Sequence, residues 1–184
     1  MVDVTGHGVP AAMNATLLKA HFYEGCECGP ELLNITQHVN RRFTELTLDG
    51  VFASAVFFRV VPETRRLQIV NAGHDACLYR AINGGIREFT SSGPLLGLAK
   101  DFEWSVEEVE YEAGDRFLLY TDGITETFNN AGCMFGRGSV EKLLDQTSGI
   151  TPTEVLNRLL KRLDNYREGG PQLDDVTALL IEFQ

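Results

Sequence analysis

Residues 51–61, VFASAVFFRVV, are a nearly continuous apolar run, and no other stretch constrains the fold as much. The run is long for a strand. Its Val and Phe content nevertheless disfavours a helix, because β-branched and aromatic side chains lose χ1 freedom against a helical turn. A strand that is apolar on both alternating sets needs cover on both faces. Helical spacing ahead of the run supplies one cover: Ala11, Ala12, Ala15, Leu18 and Phe22 follow Pro10, which suits a first helical turn, and this helix is expected to end near Gly25. A second helix is expected to open around Pro30 and Glu31, to carry Leu32, Ile35, Val39, Phe43 and Leu46 on one face, and to stop at LDGV (48–51).

Behind the run, Pro62 in VPETRR marks a type I turn, and RLQIVNAG, ACLYRA and IREFT read as short strands. Asn83-Gly84-Gly85 joins the last two as a hairpin. WSVEEVEY (104–111) and RFLLYT (116–121) read as a further strand pair across Glu112–Asp115. Helices return at Ser139–Gln146 and after Thr151, where Thr151, Pro152 and Glu154 spell a capping box and Val155, Leu159, Leu163 and Tyr166 form one stripe. The closing VTALLIEF (176–183) reads as a strand buried inside a sheet, among the earlier ones. Helices, strands, helices and a last strand make a segregated α+β chain, not a βαβ alternation. At 184 residues it is expected to be a single domain, 1–184.

Charge and cysteine content narrow the function. Sixteen Lys and Arg stand against 26 Asp and Glu, a net −10, which disfavours a nucleic-acid partner because phosphate binding needs a basic footprint. A phosphorylated protein stays compatible, since metal ions can supply positive charge. No apolar run is long enough to cross a bilayer and no signal peptide is evident, so membrane contact is not expected. Cys26, Cys28, Cys77 and Cys133 are scattered, and the Cys26/Cys28 spacing is not that of a zinc site; a reducing, cytoplasmic setting follows.

Four segments put polar residues and Gly at strand ends: DVTGHG (3–8), NAGHD (71–75), YTDGITE (120–126) and QLDDVT (172–177). An Asp after a strand is usually a turn former or helix cap. Three such carboxylates at the rim of one core would repel one another, and a hard divalent cation, Mg²⁺ or Mn²⁺, is what would hold them.

In this order the four motifs resemble those of the metal-dependent protein serine/threonine phosphatases (the PPM family), in the bacterial SpoIIE-like branch. The PET turn, GPLLGL and AGDRFLLYTDG match as well, so the resemblance covers essentially the whole chain. It implies an αββα sandwich, two antiparallel sheets flanked by helix pairs, and a pair of Mn²⁺ or Mg²⁺ ions. Asp3 would bridge both ions and the Val4 carbonyl would bind one. Asp122 and Asp174 would complete the other shell, with Asp175 acting through water. A metal-activated water would then attack phosphoserine or phosphothreonine in line. The implied partner is a phosphorylated regulatory protein, such as an anti-sigma-factor antagonist, with a sensor domain upstream in the parent protein. Gly6, Gly8 and Gly123 would allow tight turns, His7 would make an orienting hydrogen bond, and Asn71 and His74 would brace the NAGHD loop. His21 and His38 read as surface or half-buried. The family's domain has a strand ahead of DVTGHG that brings a further acidic ligand; with Asp3 third in the sequence, that strand is expected to be missing and turnover impaired. No phosphate-binding arginine is identified near a motif. The alternative reading is a pseudophosphatase, an interaction module with the same fold and little turnover.

Overall fold

The computed structural model describes residues 1–48 and 50–184, so Asp49, within the expected LDGV stop, lies outside the described residues. The chain divides into two compact units, Met1–Ala76 with Phe89–Glu110, and Cys77–Glu88 with Tyr111–Gln184. Each carries one four-stranded antiparallel sheet and one pair of long helices.

In the first unit, β1 (Val2–Val4) is followed by α1 (Gly8–Glu27) and α2 (Leu32–Leu46). Pro10 falls in the first turn of α1, where its missing N–H costs nothing. Leu32, Ile35, Val39 and Phe43 of α2 are buried against Leu18 of α1 and against Ala53, Ala55 and Phe57 of β2 (Ala53–Val61). Each large side chain so buried contributes roughly 1.5–3 kcal/mol. The two ends of the expected stripes differ: Phe22 is partly exposed although its ring stacks on Phe57, and Leu46 is exposed as the last residue of α2. His21 also departs from expectation. It is buried, with Nδ1 3.0 Å from Glu24 Oε2. The Pro62 turn is a single 3₁₀ turn, Pro62–Thr64, leading to β3 (Arg66–Ala72). The sheet order is β1-β2-β3-β6, with β6 spanning Glu107–Glu110.

The second unit contains β4 (Cys77–Arg80), β5 (Ile86–Phe89, its last residue belonging to the first unit), β7 (Arg116–Tyr120), the one-turn helix α3 (Asp122–Thr125), α4 (Arg137–Asp145), α5 (Pro152–Arg167) and β8 (Ala178–Glu182), with strand order β5-β4-β7-β8. The expected Asn83-Gly84-Gly85 hairpin is present, closed by Ala81 N–H to the Gly85 carbonyl at 3.2 Å. Leu78, Leu118 and Leu180 of the sheet pack with Val140 and Leu144 of α4 and Val155 and Leu159 of α5. Only half of the capping box forms: Thr151 Oγ1 accepts from Glu154 N–H, while the Glu154 carboxylate turns outward to Arg158.

Two strand pairings differ from the sequence reading. β6 and β7 are not partners: β6 pairs with β3, and β7 with β4 and β8. The reason is local. Arg66 and Gln68 of β3 both donate to Glu108 of β6, whereas the Asp115 carboxylate accepts from Ile82 N–H, Glu112 N–H and the Tyr79 hydroxyl, tying the turn to the second sheet. Burial and the Asp115 charge push the Tyr79 phenol well above its ordinary value. β8, expected inside a sheet, is at its edge: it pairs with β7 alone, and Leu179 is exposed. An apolar pattern reports burial of side chains, not the presence of a strand on each side.

Candidate functional site

The four motifs fall into two sets, two in each unit. In the first unit Asp3 lies within β1, directly across from Ser54 of β2, and Val4 is across from Ala53. Beyond them the Thr5 hydroxyl donates to the Phe52 carbonyl at 3.0 Å and accepts from Phe52 N–H at 3.1 Å, so the end of DVT is fastened to β2. Gly6 and Gly8 then take φ of 91° and 75°, a region closed to most side chains, and deliver the chain into α1. His7, between them, is exposed and forms no side-chain cap on α1, so the orienting hydrogen bond expected for it is absent among the described residues.

The NAGHD loop is held from inside. Asn71 is 1% exposed, accepts from His74 N–H at 2.8 Å and donates to the Asp75 and Phe89 carbonyls. His74 is buried and shares a 2.7 Å hydrogen bond between its Nδ1 and Ser54 Oγ. Ser54 therefore links the NAGHD loop to the strand position facing Asp3. Sequence reasoning missed it; the signal was a lone hydroxyl inside the Phe-rich run 51–58.

In the second unit TDG and DDVT are bound to each other. Thr121 N–H donates to the Thr177 carbonyl, the Thr121 hydroxyl donates to the Asp175 carbonyl, and Thr177 N–H donates back to that hydroxyl, each at 3.0 Å. Thr125 and Thr127 donate to the Asp122 and Gly123 carbonyls, holding α3 as one turn. Gly123 is required by close approach: a Cβ there would collide with the Asp175 carbonyl.

Asp122 Oδ1 is buried and has no hydrogen-bond partner among the described residues. A buried carboxylate oxygen without a donor is costly unless something positive meets it. Asp174 and Asp175 are exposed, and Asp174 Oδ1 accepts from Asp175 N–H at 2.7 Å. These hard oxygen donors suit Mg²⁺ or Mn²⁺. Among the described residues no group of three or more His, Cys, Asp or Glu stands assembled for a metal. Asp3 belongs to the first unit, and Asp122, Asp174 and Asp175 to the second.

A pocket of about 160 Å³ opens beside Gly123, Thr127 and Asp174, and Arg167 lines it. Arg167 donates to Asp164 at 2.6 Å and to Gln172 at 3.3 Å, and Gln172 donates to the Asp174 carbonyl at 3.0 Å. Arg167 thus lies beside the QLDDVT motif, where no phosphate-binding arginine is expected from the sequence. Six residues separate it from Asp174, and the loop after α5 brings the two together.

Comparison with known proteins bears on the fold and the family. The phosphoserine phosphatase RsbP of Bacillus subtilis (strain 168) is 23% identical over 99% of this chain, which spans only 44% of that protein. The SiaA-PP2C domain of Pseudomonas aeruginosa superposes with a TM-score of 0.89 at 22% identity, covering 100% of this chain and 74% of that one. The catalytic domain of the serine/threonine protein phosphatase PstP, solved with two manganese ions, superposes at 0.70 with 17% identity, over 97% of this chain and 84% of that one. At these identities the superpositions establish the fold, an α+β arrangement of PP2C type. The model of the family described as Stage II sporulation protein E (SpoIIE) matches residues 1–184. With its whole length matched, the chain belongs to the SpoIIE family.

Proposed function

We propose that residues 1–184 act as a metal-dependent protein serine/threonine phosphatase domain, working in the cytoplasm on phosphoserine or phosphothreonine of a regulatory protein. The observation that carries this reading is the buried, partnerless Asp122 Oδ1 in a turn fastened to the Asp174–Asp175 segment. The names of relatives point the same way: RsbP is a phosphoserine phosphatase, and PstP was solved with two manganese ions.

By the family resemblance Asp122 and Asp174 would hold one Mn²⁺ or Mg²⁺, Asp175 would contribute through water, and Asp3 with the Val4 carbonyl would likewise serve as metal ligands. Such ions, when bound, lower the pKa of the attacking water and offset charge on the phosphoryl oxygens. The chain's own part is positional. The Thr121 hydroxyl, accepting and donating at once, fixes the spacing of the Asp122 turn from the Asp174 segment. Asn71, His74 and Ser54 brace the NAGHD loop through their mutual hydrogen bonds. Arg167 offers a guanidinium beside Asp174, where an anionic substrate would approach.

The test is Mn²⁺-titrated hydrolysis of a phosphoserine peptide, with thermal unfolding followed in parallel. Metal-dependent turnover with a rise in Tm is expected, because an ion that binds only the native state stabilises it. No turnover and no rise would overturn the reading. A rise in Tm without turnover would identify an interaction module with a phosphatase fold.

A further inference from the structure

Between α4 and α5, away from Asp122 and Asp174, lies a cleft of about 260 Å³ lined by Gln146, Thr147, Arg158, Lys161, Arg162 and Asn165. No acidic side chain lines it, in a chain whose net charge is −10. Lys161 and Arg162 are exposed and have no ion-pair partner among the described residues. Arg158 pairs only with Glu154, one turn away and half exposed, a contact weak enough to be exchanged.

This arrangement is unfavourable to the helix itself. Arg158 and Arg162 are i,i+4 neighbours, and Arg158 and Lys161 are i,i+3, so like charges repel along one flank of α5. The opposite wall is rigid. Buried Arg116, balanced by Glu182, donates to the Thr147 carbonyl at 2.7 Å, and the Thr147 hydroxyl donates to the Leu144 carbonyl. A concentrated positive flank facing a fixed wall is complementary to an anion, and its length says which kind. Arg158 to Asn165 covers roughly 10 Å of helix axis at 1.5 Å per residue. An extended peptide covers that in about three residues and meets the amides as well as the cations, whereas a single phosphate, even shared by two neighbouring cations, leaves the rest of the cleft unfilled. Gln146 and Asn165 add amides that can pair with a peptide backbone.

We propose that this cleft docks an acidic peptide segment of a protein partner. Arg167 is nine residues from Arg158, about half a turn round the helix, so the pocket at Asp174 is on the other flank and stays open while the cleft is filled. The proposal is independent of the phosphatase reading.

The test is binding of a fluorescein-labelled hexaglutamate peptide to the full chain, read by anisotropy, with hexaglutamine as the neutral control. Wild type is expected to bind hexaglutamate alone, more weakly as salt rises. Lys161→Glu with Arg162→Glu is expected to weaken binding by about 10-fold or more, because both attraction and pocket sign are reversed. Lys19→Glu with Arg41→Glu makes the same change in net charge on exposed positions of the first unit and is expected to leave affinity within about 2-fold. Backbone amide shifts on wild type, which need no variant, should concentrate at residues 146–147 and 158–165. Absence of binding, equal loss in both double variants, shifts centred elsewhere, or equal affinity for inorganic phosphate would each overturn the proposal.

Discussion

The motif regions of the two units are stabilised in opposite ways. In the first, every polar group at NAGHD for which a bond is shown is met by a protein partner: Asn71 by three, His74 by Ser54 and Asn71. In the second, the TDG turn and DDVT segment are locked through backbone and threonine hydroxyls, yet the acidic oxygen at the centre, Asp122 Oδ1, is left buried and unmet. A satisfied buried network contributes stability, whereas an unsatisfied oxygen costs it. The NAGHD loop is therefore self-sufficient, while Asp122 Oδ1 finds no donor among the described residues. Under the proposed function a divalent cation meets it.

Asp122→Asn should separate the two regions most sharply. Removing the buried charge is expected to cut Mn²⁺-dependent hydrolysis by roughly 100-fold or more, since the metal loses a charged ligand. It should also abolish much of the metal-induced rise in Tm. Without metal the variant is expected to be as stable as wild type, or more so by about 1 kcal/mol, because an uncompensated carboxylate has gone. A large loss of metal-free stability in urea unfolding would show that Asp122 is satisfied within the protein, and the contrast between the regions would fail.

Gly123→Ala tests how tightly TDG and DDVT are pressed together. The added Cβ meets backbone, which cannot swing aside as a side chain can, so the cost is expected at about 1–3 kcal/mol. Denaturant midpoints would measure it. A neutral result would mean that the Asp175 segment yields easily and is not a fixed wall of the site.

How much of this was legible in the sequence depended on whether the cause was local. The helices of 8–27 and 32–46, the Asn83-Gly84-Gly85 hairpin and the Thr151 cap depend on near neighbours, and the structure contains them. Pairing of β6 with β3 could not be read, because the short Glu112–Asp115 link looks like a hairpin until Asp115 is seen bonded to Tyr79 and Ile82. The edge position of β8 was hidden for a similar reason: VTALLIEF is apolar, and apolarity does not say how many strands lie alongside. The motif residues stood out, but Ser54 and Arg167, which touch them, did not. Ser54 is 20 residues from His74 and meets it only through the fold, while Arg167, close to Asp174 in sequence, lies at the end of a helix whose pattern does not show that the following loop turns back to it.

Ser54→Ala probes the self-sufficient region. It removes the partner of His74 Nδ1 and leaves a buried ring nitrogen without its bond, an expected loss of about 1–2 kcal/mol in metal-free protein. The comparison predicts that added Mn²⁺ restores none of this loss specifically: the metal-induced rise in Tm should be equal in Ser54→Ala and wild type. A smaller rise in the variant would mean that the Ser54–His74 bond also sets the geometry of Asp3, and the two regions would have to be treated as one.

The smallest expected effect lies on the α1–α2 pair of the first unit, where charge is held at the surface. Hydrogen bonds from His21 and then His38 to Glu24, at 3.0 and 3.4 Å, keep the Glu24 carboxyl below its usual value of 4.5. A carboxyl depressed in the folded state contributes stability that is fully present above its unfolded value and is lost as pH falls through the folded one. Glu24→Gln should therefore lower Tm slightly at neutral pH, by less than Ser54→Ala, and the difference from wild type should close as pH drops below the ordinary carboxylate range. Glu24 is half exposed, so raised salt should shrink the difference as well. A difference that persisted at acid pH would show that Glu24 acts through packing of its stem between the helices.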